Sequence, residues 1–225
     1  MSMQSNKQLQ LILRRLTWPL LIVSFLMIAV ANYLIFFVVP SEKVMGAVQR
    51  IFYFHVGSAF ASYVSFAIVF MASIFFLTKK ERIYDAINQS AAEVGFLFST
   101  IVLFTGMIWG KAAWGTWFNP EPRLISFLLI WLIFLAFIML RSFADYSRVR
   151  EHSAVLAIIG SVTVPLMVYS IKILPAFKQL HPQVVEKQGL PSIMLYVMLY
   201  TALSLIVFQF LLVVLRVRIA LLESK

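Results

Sequence analysis

Residues 17–39, TWPLLIVSFLMIAVANYLIFFVV, form an uninterrupted apolar stretch that contains no charged side chain. A helix needs about 20 mainly apolar residues to cross the hydrocarbon core of a bilayer. Five further stretches are also mainly apolar: 55–78, 91–109, 124–140, 155–173 and 192–215. The third and fifth spans are the least uniform, since one carries Glu93 and the other Gly160 and Pro165. We therefore expect an all-α integral membrane protein, built as a bundle of six transmembrane helices that forms a single membrane domain over residues 1–225.

The composition excludes several other classes of protein. Hydrophobic residues make up 62% of the chain and charged residues 12%, whereas a soluble domain averages about 45–50% and about 25%. The 21 Phe, 8 Tyr and 5 Trp exclude a disordered chain, which is poor in aromatic residues. Because the chain has no Cys, disulfides, iron–sulfur clusters and thioether attachment of a cofactor are also excluded.

The positive charges predict the orientation of the helices. If both termini lie on one side, 12 of the 19 Lys and Arg residues lie on that side. Since cytoplasmic segments carry the excess of Lys and Arg, we expect both termini to be cytoplasmic, with inner connections at 79–90 and 141–153. The formal charge of +10 does not indicate nucleic-acid binding, because the cations are scattered over short segments.

Three outer segments, 40–54, 110–123 and 174–191, carry the residues of chemical interest. His55 begins the second span directly after the first outer segment, and His181 lies in the third. His152, the remaining histidine, falls on the inner side and is interpreted as a solvated loop residue. Two histidines on one membrane face are candidate metal ligands, although a structural or interfacial role for each remains open.

Between these histidines lies the sequence WGKAAWGTWFNPEPRL, residues 109–124. In a helix, Trp114, Trp117 and Phe118 would share one aromatic face. Pro120 and Pro122 prevent the helix from continuing, so we expect the rings on a short interfacial turn on the outer face. An aromatic belt that anchors a span at the lipid headgroups is the alternative interpretation.

An iron porphyrin suits this collection of residues. Two imidazoles can ligate the iron axially, and aromatic rings can pack against the flat macrocycle. Its propionates need cations, and four lie on the outer side: Arg50, Lys111, Arg123 and Lys178. A catalytic zinc site fits less well, because only Glu121 or Glu186 could add a third ligand. Glu121 is instead expected to accept a hydrogen bond or to cap the fourth span.

The segment 109–124 closely resembles the signature W-G-x-x-x-W-G-T-W-W-x-W-D-x-R-L of haem-handling proteins in c-type cytochrome maturation, the CcmC/CcmF/CcsA family. RIFYFHV at 50–56 resembles the first outer histidine segment of that family, and AAEVGFLFSTIVLFTGMIWG at 91–110 resembles the span before the signature. The resemblance covers roughly residues 40–215. Chain length favours the small six-span branch, CcmC or haem exporter protein C.

The resemblance implies the residues of a site. Members hold haem on the outer face between two histidines, which correspond here to His55 and His181. The signature supplies the aromatic platform, and its matching positions are Trp109, Gly110, Trp114, Gly115, Thr116, Trp117, Arg123 and Leu124. Phe118 and Pro120 replace two tryptophans of the pattern, and Glu121 replaces its Asp. The spacing is unchanged, and these departures leave the identity of the haem acceptor open.

The resemblance also implies a function and partners. The expected cofactor is haem b, held transiently and without a covalent bond, in a bacterial inner membrane with the functional face toward the periplasm. The expected partners are a CcmE-like haem chaperone, a CcmD-like small membrane protein and CcmA/CcmB-like transporter subunits, and no catalysis is expected. A conduit for haem or another anion, or a structural subunit without haem, remains as the alternative.

Overall fold

A computed structural model describes residues 3–41, 46–143, 146–173 and 191–222 of the chain. Within these residues, six long helices occur in chain order. They are α1 (Met3–Tyr33), α2 (Ile51–Lys79), α3 (Arg82–Trp114), α4 (Pro122–Phe143), α5 (Tyr146–Ile173) and α6 (Ser192–Leu222). A π-helical turn extends α1, and a 3-10 turn precedes α2. Each of the six is long and apolar enough to cross a membrane, which confirms the predicted six-helix organisation.

The helices extend beyond the apolar stretches that predicted them. α3 begins at Arg82 rather than near residue 91, and it follows α2 after only two residues. Lys80 makes this sharp turn in a left-handed conformation (φ 57°), and its N–H donates to the carbonyl of Phe76 at 2.8 Å. α4 likewise continues to Phe143. The links between these helices are therefore shorter than the predicted connections at 79–90 and 141–153, because most of the described residues of both segments are helical.

Buried, mostly small residues line the seam between α2 and α3 at intervals of three and four. On α2 they are Ser58, Ser62, Ser65, Val69 and Ala72, and on α3 they are Asn88, Ala92, Gly95, Ser99 and Val102. A Cβ atom at Gly95 would lie 2.8 Å from the Phe66 ring and 2.9 Å from the Ser65 Cβ. Because small residues let membrane helices approach closely, this pattern brings α2 and α3 into direct contact.

Ion pairs tie the first half of α3 to the three later helices. Asp85 is 5% exposed and binds the Arg141 guanidinium of α4 through both carboxylate oxygens, at 2.6 and 3.2 Å. Arg150 of α5 lies 3.4 Å from the same carboxylate. Two turns further along α3, Glu93 pairs with Arg216 of α6. These polar contacts explain why α3 stays helical through a segment too polar to be recognised as a span.

The two terminal helices meet at one end of the bundle. The Gln10 side chain of α1 donates to the backbone carbonyl of Arg218 on α6 at 3.4 Å, and the Arg218 guanidinium donates to the Thr17 hydroxyl at 2.8 Å. The start of α1 and the end of α6 therefore lie together, as an even number of spans requires. The start of α2 and the end of α3 lie at the opposite end.

Candidate functional site

His55 lies in the second turn of α2 and packs against the last third of α3. Its Nδ1 is 3.1 Å from the Thr105 hydroxyl. A Cβ atom at Gly106 would lie only 3.0 Å from the imidazole Cε1, so the ring occupies space that any other residue at position 106 would need. His55 continues the three-and-four spacing of the α2 seam toward its outer end, which explains why its side chain meets α3.

Arg123 lies in the first turn of α4 and joins His55 at this end of the bundle. Its guanidinium is beside the Tyr63 hydroxyl, and it is close enough to the imidazole for its charge to act on the ring. The fold thus brings together two predicted site residues from separate segments. Tyr63, Thr105 and Gly106 also lie around this site, although they were not predicted from the sequence. Tyr63 follows His55 by eight residues, a helical spacing that could have identified it.

The tryptophan-rich segment does not form the predicted helical aromatic face. α3 ends at Trp114, and Gly115 leaves the helix in a left-handed conformation (φ 76°), with its N–H donating to the Lys111 carbonyl at 3.1 Å. Trp117 and Phe118 follow this break, so the i, i+3 and i+4 relation to Trp114 does not exist. Glycine at this position ends helices readily because it has no Cβ. Gly115 therefore ends the helix, five residues before the first of the two prolines, Pro120.

The rings of this segment divide into two groups. Trp109 and Trp114 contact each other edge to face, with ring centroids 5.0 Å apart. Trp117 and Phe118 lie beyond the helix with 54% and 36% of their surfaces exposed. The Thr116 hydroxyl donates to the Phe118 carbonyl at 2.9 Å and shapes this turn. The turn therefore presents exposed apolar rings suited to contact with a flat apolar molecule or with lipid.

Lys111 and Glu121, the two charged residues before Arg123 in this segment, both make contacts at helix ends. The Lys111 ammonium donates to the Gly115 carbonyl at 2.9 Å, at the end of α3. The Glu121 carbonyl accepts the Ile125 N–H at 3.0 Å at the start of α4, and the Glu121 residue is 2% exposed. Glu121 thus directly precedes the fourth helix, which begins at Pro122, and its backbone carbonyl accepts a hydrogen bond from the first turn of that helix. The Lys111 ammonium therefore binds a backbone carbonyl at the end of α3 in this structure.

The second histidine of the predicted pair, His181, lies outside the described residues, as do Lys178 and Glu186. Within the described parts of the chain, no group of three His, Cys, Asp or Glu side chains could hold a metal ion. A planar ligand fits the described residues better, since they offer one imidazole, one guanidinium and exposed aromatic rings. His152 is exposed as expected, but it lies within α5 rather than in a loop.

The chain is similar to known proteins over much of its length. A family model described as Heme exporter protein C matches residues 1–225. A protein named Heme exporter protein C from Bradyrhizobium diazoefficiens is 31% identical over 133 residues, covering 59% of this chain and 51% of that protein.

The Escherichia coli K12 protein of the same name is 31% identical over 134 residues, which cover 59% of this chain and 55% of that protein. A cytochrome c biosynthesis ccmC-like mitochondrial protein from Marchantia polymorpha is 31% identical over 143 residues, 64% of this chain and 60% of its own length. The matched region thus spans little more than half of these relatives. Because the family model matches the whole sequence, the chain belongs to the Heme exporter protein C (CcmC) family.

Proposed function

We propose that this chain binds haem at the outer end of its helix bundle and delivers it for c-type cytochrome maturation. The observation that carries the proposal is the placement of His55, whose imidazole is fixed between α2 and α3 with the Arg123 cation nearby. Membership of the Heme exporter protein C family supports haem as the cargo. The work is holding and release, and the proposal includes no covalent step.

Each site residue has a role set by its chemistry. His55 and His181 ligate the iron from opposite faces of the macrocycle. Trp114, Trp117 and Phe118 pack against the porphyrin, since aromatic rings associate with flat apolar surfaces. Gly115 and Thr116 shape the turn that presents these rings, and Arg123 pairs with a propionate through charge-assisted hydrogen bonds.

Delivery requires an acceptor whose own ligand competes for the iron. We propose a CcmE-like haem chaperone for this role, with a CcmD-like small membrane protein and CcmA/CcmB-like transporter subunits in the same assembly. Transient binding of haem b suits this exchange, because the chain has no Cys that could attach the macrocycle through a thioether. In this proposal the site faces the periplasm from a bacterial inner membrane.

Haem binding by purified variants tests the two ligands. We expect the Soret absorbance and the affinity for added haem to fall strongly in His55→Ala and His181→Ala. His152→Ala is the matched control, because His152 is exposed on α5 and should leave both quantities unchanged. Unchanged haem spectra in both ligand variants, or equal losses in all three variants, would refute the proposed site.

The absence of cysteine allows a direct test of orientation. Lys111 and Glu81 are exposed near opposite ends of α3, so a single cysteine can be placed at either position. In spheroplasts, a membrane-impermeant maleimide should label Lys111→Cys at once and Glu81→Cys only after the membrane is permeabilised. The reverse order of labelling would place the His55 site on the cytoplasmic side and contradict delivery at the outer face.

A further inference from the structure

We propose that Thr105 is a positioning residue, which holds His55 in the tautomer with its proton on Nδ1 and the lone pair on Nε2. The inference rests on the proposed function, because Nε2 is then the nitrogen that ligates the haem iron. The contact between His55 Nδ1 on α2 and Thr105 Oγ1 on α3, at 3.1 Å, is the observation behind this role.

The position of the hydroxyl proton decides the tautomer. The Thr105 Oγ1 lies 2.6 Å from the carbonyl oxygen of Ile101 and 3.3 Å from that of Val102. A threonine hydroxyl has one proton and a carbonyl can only accept, so this proton is donated into the backbone of α3. The hydroxyl oxygen can then only accept from the imidazole, which makes Nδ1 of His55 the donor. A neutral imidazole has a single N–H, and its lone pair is consequently on Nε2.

A second threonine of α3 makes the same arrangement with an unambiguous donor. The Thr100 hydroxyl donates to the Phe96 carbonyl at 2.7 Å and accepts the indole N–H of Trp131 at 2.8 Å. Since an indole nitrogen can only donate, the direction of that hydrogen bond is fixed. Thr100 thus demonstrates, on the same helix, that a threonine bonded to its own backbone accepts a ring N–H from a neighbouring helix.

Gly106 leaves room for the imidazole beside Thr105 because it has no Cβ. A Cβ atom at position 106 would lie 3.0 Å from Cε1 and 3.5 Å from Nδ1. Histidines that ligate metals commonly donate their second ring N–H to an acceptor in the protein, and loss of that acceptor typically lowers metal affinity about 10–100-fold.

Nitrogen-15 NMR of the haem-free, histidine-labelled protein tests the tautomer without any haem-binding assay. His152→Gln and His181→Gln together leave only the His55 ring to be assigned. We expect a protonated Nδ1 and an unprotonated Nε2 at neutral pH, retained in Thr105→Ser and in the control Thr100→Val. Thr105→Val should give a mixture of the two tautomers. A protonated Nε2 in the unsubstituted ring, or no effect of Thr105→Val, would overturn the inference.

Haem titration then connects the tautomer with binding. Thr105→Val should weaken haem affinity at least about tenfold, Thr105→Ser should restore it, and Thr100→Val should leave it unchanged although it also removes a hydrogen bond from α3. If His55→Ala binds haem normally, the proposed function fails whatever the NMR shows. If His55→Ala loses haem while Thr105→Val matches the wild type in both measurements, only the positioning role of Thr105 fails.

Discussion

Substitution of Asp85 by Asn should destabilise the bundle more than any change to its exposed ion pairs. The Arg141 side chain is only 8% exposed and the Asp85 side chain 7%. The amide introduced by Asp85→Asn is neutral and offers Arg141 one acceptor oxygen in place of two, so the cation loses its anionic partner and keeps the Gln89 oxygen at 2.6 Å and the Ser153 hydroxyl at 3.3 Å. Arg150 loses its 3.4 Å contact with the same carboxylate. Removal of one partner from a buried ion pair costs about 3–5 kcal/mol.

Thermal unfolding of the detergent-solubilised protein measures this effect. For a chain of this size, 1 kcal/mol corresponds to about 2–4 °C, so a loss of about 3–5 kcal/mol should lower the melting temperature by about 6–20 °C. Glu151→Gln is the matched control at the same end of the bundle. It removes the pair with Lys80 at 2.6 Å, whose side chains are 51% and 55% exposed, and its melting temperature should stay close to that of the wild type.

A double variant separates the buried charge from the lost hydrogen bonds. Asp85→Asn combined with Arg141→Gln also removes the cation that the single variant leaves buried, and it should therefore recover part of the lost stability. Equal melting temperatures for Asp85→Asn and Glu151→Gln would refute the reasoning. So would a double variant whose loss equals the sum of the two single losses.

Two glycines give further predictions that separate packing from backbone strain. Gly95→Ala should lower the free energy of unfolding by about 1–3 kcal/mol, because its Cβ would lie 2.8 Å from the Phe66 ring. Unchanged denaturation would show that α2 and α3 separate easily. Gly115→Ala should cost about 1–2 kcal/mol through its left-handed backbone alone, since no neighbouring atom of the described residues lies within 4 Å of the added Cβ. Gly115→Asn should cost less, and equal losses for Ala and Asn would contradict this explanation.

Hydropathy was sufficient to predict the number of helices, because six apolar stretches have no other solution in a bilayer. It could not predict where α3 begins. Residues 82–90 contain Arg82, Asp85 and Gln89, which an isolated helix in lipid would not tolerate. Asp85 and Gln89 are satisfied by Arg141 from α4. Arg141 is more than 50 residues away from both in the chain, so a local sequence pattern cannot predict these contacts.

The candidate site was predictable to a similar extent. His55 and Arg123 were predicted on chemical grounds, and the fold brings them near each other. Thr105 and Gly106 could not be predicted, because their contact with His55 depends on the register of α2 against α3. The predicted aromatic face was wrong for a reason that the sequence itself contains. Gly115 directly after Trp114, with Lys111 in the preceding turn, is a recognisable signal for the end of a helix.

The two-residue link between α2 and α3 has a consequence for how much of the chain the site needs. His55, Thr105 and Gly106 all belong to the two helices that this link joins. Their contact therefore needs only one helical hairpin of consecutive chain and no residue of α4 to α6. Arg123, by contrast, joins His55 from α4, so its place in the site depends on how a later helix packs.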